Sequence, residues 1–131
     1  MRYYLLYMTA FIVAVLSISS VHAQNVRFFD TLYDVPVMEG LVVLPEQAMS
    51  YDKPEGRISQ SMAYMPQGDW EAISLFYKES LLQMGWEALE QDKYSRENEL
   101  LEITHENEEE LAHSGVIVRF LLRPQQGLNR Y

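Results

Sequence analysis

The sequence predicts an α+β fold, a two-layer sandwich in which one main helix packs on an antiparallel sheet. Residues 57–65 alternate with the period of two that is typical of a strand, and residues 69–84 repeat apolar side chains with the period of a helix. Short segments of strand character follow the helix, and short connections favour antiparallel neighbours. The expected order of elements is β-β-α-β-β-β-β.

The first 23 residues have the pattern of a signal peptide. Arg2 supplies the positive charge, and residues 5–16 form an apolar run. Val21 and Ala23 are the small residues that a signal peptidase requires, so we expect cleavage after Ala23. A membrane anchor is the alternative, but a spanning helix needs about 20 apolar residues, more than this run provides.

The pattern therefore predicts an exported protein without stable membrane insertion after cleavage. We expect it in the periplasm, with release to the medium as the alternative. Residues 24–48 show no strong period and predict an extended lead-in that packs loosely. Residues 49–123 form the predicted α+β domain, and residues 124–131 form a loose C-terminal tail.

Composition fits one globular domain and excludes several kinds of function. The chain has 131 residues, of which 48% are hydrophobic, and it has no cysteine. Thiol nucleophiles, thiolate metal sites and disulfides are therefore excluded. The 19 acidic and 10 basic residues give a net charge of −9, which argues against the basic face of a nucleic-acid-binding protein.

A β-hairpin is expected before the helix. Residues 49–51 form a short predicted strand, and a turn over residues 52–56 contains Pro54 and Gly56. Pro54 fixes its own φ angle and Gly56 tolerates a positive φ, which together favour a tight turn. The alternating segment 57–65 then returns as the second strand.

The helix is predicted over residues 69–84. Asp69 is a suitable N-cap, and Gly85 ends the helix where a left-handed conformation is favoured. Apolar residues on one helical face predict the side that packs on the sheet. These residues are Trp70, Ile73, Phe76, Tyr77, Leu81 and Met84.

Four strands are predicted after the helix, over residues 86–91, 94–97, 100–104 and 116–122. The third is ambiguous, because apolar residues from Leu100 onward also fit a helical spacing. The β-branched residues Ile103 and Thr104 favour the strand.

The junction between the helix and the next strand resembles that of many small exported bacterial domains of unknown function. The shared pattern is F-Y-x-x-x-L-x-x-x-G-W, formed here by Phe76, Tyr77, Leu81, Gly85 and Trp86. The resemblance implies a small α+β fold and carries no catalytic residues. This chain lacks the lipid-anchor cysteine that many of those proteins have.

The acidic residues 97–110 are the only candidate for a metal site. Two Glu-x-x-His pairs occur in or beside them, Glu102 with His105 and Glu110 with His113. That spacing builds metal sites on the facing helices of a bundle, but only one helix is predicted here. We therefore expect a solvated acidic loop and no metal or other cofactor, with weak divalent-cation binding as the alternative.

No catalytic constellation is evident. His113 and Ser114 are adjacent in a predicted loop, where a base and a nucleophile are poorly oriented. Three basic residues, Arg57, Arg119 and Arg123, would hold an anion if the fold brought them together, but pairing with nearby carboxylates is the preferred expectation.

The sequence thus predicts a non-catalytic protein-binding or accessory module of the bacterial cell envelope. Its expected partner is another envelope protein, bound by the face or the edge of the sheet. A small periplasmic hydrolase acting on envelope material and a weak cation-binding protein remain as alternatives.

Overall fold

The computed structural model of the chain describes residues 25–108 and 115–125, which form one α-helix and one antiparallel sheet of seven strands. The predicted α+β class is therefore confirmed. In chain order the elements are β1 (Val42–Val43), a 3-10 turn (Pro45–Gln47), β2 (Met49–Lys53), β3 (Gly56–Pro66), α1 (Trp70–Gln83), β4 (Glu87–Glu90), β5 (Lys93–Arg96), β6 (Glu99–Glu108) and β7 (Gly115–Pro124).

The sheet is centred on β3, β7 and β6. Both β1 and β2 pair with β3 on one side of the sheet, and the order continues as β3-β7-β6-β5-β4. The predicted hairpin is formed by β2 and β3, with Asp52 opposite Arg57 and Gly56 at a φ of 135°. The sequence did not predict β1, so the observed order contains one strand more than expected.

The helix agrees with the prediction. Asp69 caps it by accepting a hydrogen bond from the main-chain N–H of Glu71 at 3.2 Å, and Gly85 follows its end with a φ of 86°. Tyr77 and Leu81 are buried against the sheet, whereas Phe76 is only partly buried at the edge of the core. Trp86, which follows Gly85, is 2% exposed and closes the end of the core.

The core lies on one face of the sheet. Tyr77 of α1 meets Phe120 of β7 with ring centroids 4.9 Å apart, and Phe29 meets the same ring at 4.7 Å. Loose packing of residues 24–48 is therefore wrong for the part that the structure describes. Leu32 and Val35 are completely buried, because this segment covers the part of the sheet that one helix leaves exposed.

The acidic segment also differs from the prediction. Residues 100–104 are a strand as expected, but β6 continues to Glu108 and pairs with β7 along its whole length. A solvated loop is thus wrong for residues 105–108. The apolar β7 provides a pairing partner that overrides the low strand propensity of glutamate.

Four charged side chains fasten the N-terminal segment to the sheet. Asp34 accepts hydrogen bonds from Arg57 of β3 and Arg96 of β5. Arg57 also donates to Glu99 at 2.8 Å and lies over the ring of Tyr33, 4.4 Å from its centroid. We call Asp34, Arg57, Arg96 and Glu99 the ionic cluster.

No helix within residues 25–108 and 115–125 is long and apolar enough to cross a bilayer. The predicted signal peptide, the pair Glu110 and His113, and most of the predicted tail lie outside the described residues. Of that tail, Pro124 ends β7, and the N–H of Gln125 donates to the carbonyl of Asn98 at 2.6 Å.

Candidate functional site

One face of the sheet points away from α1, and we call it the open face. Because side chains alternate along a strand, the residues between the core positions of β3 and β7 belong to this face. Its apolar members are Val42, Met49, Tyr51, Ile58, Met62, Tyr64, Leu100, Ile117 and Leu121. All of them are at least partly exposed, so nothing in the described part of the chain covers this face.

The open face is unusual in its charge for so acidic a protein. On β2, β3 and β7 its charged members are all basic: Lys53, Arg119 and Arg123. Carboxylates enter the face only on the neighbouring strands, where Glu102 and Glu106 lie on β6. The contact between Arg119 and Glu106 is a long one of 3.9 Å between exposed side chains, which leaves Arg119 available to a partner.

A second feature is an unpaired stretch of β6. Strand β7 pairs with β6 from Glu99 to Glu108, whereas β5 pairs only from Glu99 to Glu102. Beyond that point the N–H of Ile103 donates to the carbonyl of Asp92 at 2.9 Å, and no described residue pairs with β6 further along on this side. We call residues 103–108 of β6, on the side of β5, the free edge.

A cavity of about 400 Å³ lies beside the free edge, where β5 would continue if it were longer. The side chains of Trp70 and His105 stack in its wall with ring centroids 4.1 Å apart. Asp92 lies at the other end, at the turn between β4 and β5, and it accepts a hydrogen bond from Ser74 of α1 at 2.5 Å. This contact fixes the end of the cavity against the helix.

The structure separates the candidate metal ligands that it describes. Glu102 lies opposite Leu121 on the open face, whereas His105 lies opposite the buried Val118 on the core face. Residues three apart point to the same side of a helix but to opposite sides of a strand. In residues 25–108 and 115–125 no three His, Asp or Glu side chains form a group that could hold a metal ion.

The three arginines are also separated. Arg57 lies on the core face within the ionic cluster, and Arg119 and Arg123 lie on the open face. Burial lowers the pKa of Arg57, but its hydrogen bond with Glu99 and the charges of Glu99 and Asp34 raise that pKa by more, so the net shift is upward. Arg57 thus stays cationic and has a structural role.

The sequence predicted binding by the face or the edge of the sheet, but it did not show which residues form either surface. The membership of the open face and the position of the free edge depend on strand register, which the sequence does not state. The alternation of residues 57–65 was the one local signal for the open face.

Comparison of the chain with protein-family models, with curated proteins and with solved structures found no significant match.

Proposed function

We propose that this protein is a non-catalytic binding module of the bacterial cell envelope, and that it binds another protein through the open face. The observation that supports the proposal is that β3 and β7 present partly exposed apolar side chains on the open face, Met62, Tyr64, Ile117 and Leu121, together with Arg119. Exposed methionine, tyrosine and arginine side chains are typical of protein interaction sites.

The charges of the open face indicate the chemistry of the partner. Arg119 lies among these apolar side chains, opposite Met62, whereas Lys53 and Arg123 lie nearer the turn between β2 and β3. A partner that presents both apolar and acidic side chains would complement this surface. The whole chain has a net charge of −9, so its other surfaces would repel such a partner.

Export is the second part of the proposal, and it rests on the N-terminal pattern. We expect the cell to process the chain after Ala23 and to accumulate residues 24–131 in the periplasm. Mass spectrometry of the protein from fractionated cells measures this directly. Unprocessed protein in the cytosol would contradict the envelope location and would leave the binding surface to be tested separately.

A capture experiment with two matched variants tests the binding surface. Met62→Glu places a carboxylate on the open face, and Leu75→Glu places one on the outer surface of α1, where Leu75 is 56% exposed. The wild-type protein and both variants are immobilised, after their melting curves are compared, and are exposed to an envelope extract under mild cross-linking.

We expect one protein at near-stoichiometric yield with the wild type and with Leu75→Glu, and its loss with Met62→Glu. Capture of the same protein by all three would show that the open face is not the binding surface. An empty capture by the folded wild-type protein would overturn the proposed function.

A further inference from the structure

The free edge has the features of a second binding surface, separate from the open face. We propose that it binds an extended peptide segment with alternating basic and apolar side chains, which pairs with β6 as an additional antiparallel strand. The segment would occupy the position of a longer β5. The inference goes beyond the proposed function, because it concerns main-chain pairing at an edge.

The hydrogen-bonding groups of the free edge are oriented for this pairing. The N–H of Ile103 points towards the side of β5, where it donates to Asp92. Alternate residues of an antiparallel strand direct their main-chain groups to the same side, so His105 and Asn107 present theirs in the same direction. No residue in the described ranges pairs with these groups, and an added strand would satisfy them.

The length and the starting point of the bound segment follow from the register. The carbonyl of Asp92 already accepts from Ile103, so the segment begins beside Asp92 and extends along β6 to Glu108. Five residues at about 3.4 Å each span this stretch. The open cavity of about 400 Å³ beside Trp70 and His105 lies along this stretch, where the segment would run.

Charge selects the other side chains of the segment. Residues opposite Thr104 and Glu106 would point to the open face, close to Glu106 and diagonal to Glu102. Opposite charges on neighbouring strands stabilise a pair, and like charges destabilise it. Basic side chains are therefore favoured at these alternate positions.

The same charges argue against a second copy of this chain as the occupant. Pairing of two free edges about a two-fold axis would bring the glutamates of one β6 close to those of the other. Acidic side chains on an edge strand commonly prevent such self-association. A basic peptide would pair its positive charges with the glutamates of β6, whereas a second copy would place like charges next to each other.

The first test uses synthetic ten-residue peptides of alternating lysine and valine, with affinity measured by fluorescence anisotropy in low salt on the purified protein. In the proposed pairing the valine amides face β6 and the lysine amides face solvent. We expect N-methylation of the valine amides to weaken binding about tenfold or more, because it removes hydrogen bonds to the edge. N-methylation of the lysine amides should change affinity less than about threefold.

Three results would overturn the proposal in this test. The first is equal affinity for the two N-methylated peptides, which would show that main-chain pairing is not the mode of binding. The second is equal affinity for the parent peptide and for a peptide with glutamate in place of lysine. The third is no binding of the parent lysine–valine peptide.

The second test changes the protein at one position. His105→Pro removes the imidazole ring and the main-chain N–H that faces the free edge, and it leaves the hydrogen bonds to β7 intact. His105→Ala removes the same ring but keeps the N–H. We expect the proline variant to bind the parent peptide about tenfold more weakly than the alanine variant. Equal affinities of two folded variants would contradict pairing at this edge, and the N-methylated peptides decide the matter if the proline variant does not fold.

Discussion

Asp34 is the residue that joins the N-terminal segment to the strands beneath it. Its two carboxylate oxygens accept hydrogen bonds from Arg57 and Arg96, which belong to different strands. The side chain of Asp34 is 15% exposed, and that of Arg57 is 14% exposed. Charges this well shielded from water are costly when they lose a partner.

We therefore expect Asp34→Ala to lower the free energy of unfolding by about 3 kcal/mol, because it leaves two guanidinium groups without their shared partner. Glu90→Ala is the control, since Glu90 is 72% exposed and pairs with Lys93 at the surface. That change should cost less than about 1 kcal/mol. Urea unfolding at neutral pH measures the free energy of unfolding of both variants. Equal losses would show that the ionic cluster stabilises the protein no more than a surface ion pair does.

Tyr77 connects the helix to the same segment through its hydroxyl group. The hydroxyl donates to the carbonyl of Pro36 at 2.9 Å and accepts from the N–H of Met38 at 3.3 Å. Burial raises the pKa of Tyr77 well above its usual value, although the hydrogen bond from Met38 opposes the shift. The folded protein therefore retains a proton that the unfolded chain releases near pH 10.

Because the pKa of Tyr77 is higher in the folded protein than in the unfolded chain, this residue makes the protein less stable at alkaline pH. The stability associated with neutral Tyr77 is fully present below about pH 10 and is lost as the pH rises above that value. Tyr77→Phe should cost about 1 to 2 kcal/mol at pH 7, because the groups of Pro36 and Met38 lose their partner. It should also reduce the loss of stability between pH 9 and 11, measured by urea unfolding at each pH. An unchanged decline would assign the alkaline sensitivity to other groups, such as Tyr94, whose pKa burial also raises.

The partners of these residues could not be found from the sequence. Arg96 is 62 positions from Asp34, and no local pattern connects them. The cap formed by Asp69 was predictable because it bonds to Glu71 two residues later. Contacts within one turn of the chain follow from residue type, whereas contacts between distant segments require the fold.

At the scale of elements, the sequence predicted the helix and the strands whose residues follow a regular hydrophobic period. The helix and the hairpin follow from periods of 3.6 and two residues. Strand β1 contains two residues and is defined only by its pairing with Ala63 and Tyr64. The second half of β6 is similarly defined by β7, because its glutamates have no strand preference of their own.

The N-terminal segment is the element for which the prediction was least accurate. Leu32, Val35 and Leu41 have no regular spacing, because the segment packs on the core without forming a regular helix or strand. Hydrophobic periodicity identifies helices and strands, and it gives no signal for an irregular segment of this kind. The segment is nevertheless part of the same core as Tyr77 and Phe120.

We expect Leu32→Ala to lower the free energy of unfolding by about 3 kcal/mol, the usual cost of removing a fully buried leucine side chain. Val26→Ala in the same segment is the control, because Val26 is 58% exposed, and it should change stability by less than about 0.5 kcal/mol. Urea unfolding of the two variants provides the comparison. A small effect of Leu32→Ala would mean that the segment does pack loosely in solution.

At the scale of the whole molecule, the two faces of the sheet differ in what they contact. Helix α1 and the N-terminal segment cover one face, and the described residues leave the other uncovered. The sequence indicated that an interaction surface on the sheet was possible. It could not assign Glu102 and His105 to opposite faces or show that β5 is shorter than β6, since both facts depend on register.

Adjacent leucines on β7 test this arrangement directly, because Leu122 points to the core and is completely buried, whereas Leu121 lies on the open face. We expect Leu122→Ala to lower the free energy of unfolding by about 3 kcal/mol and Leu121→Ala by about 1 kcal/mol or less. Both variants replace a leucine of β7 by alanine, so they differ only in the face of the sheet that they change. Comparable losses in urea unfolding would show that the open face is covered in the isolated protein. A threefold difference would show that its apolar side chains contribute little to folding and remain available to a partner.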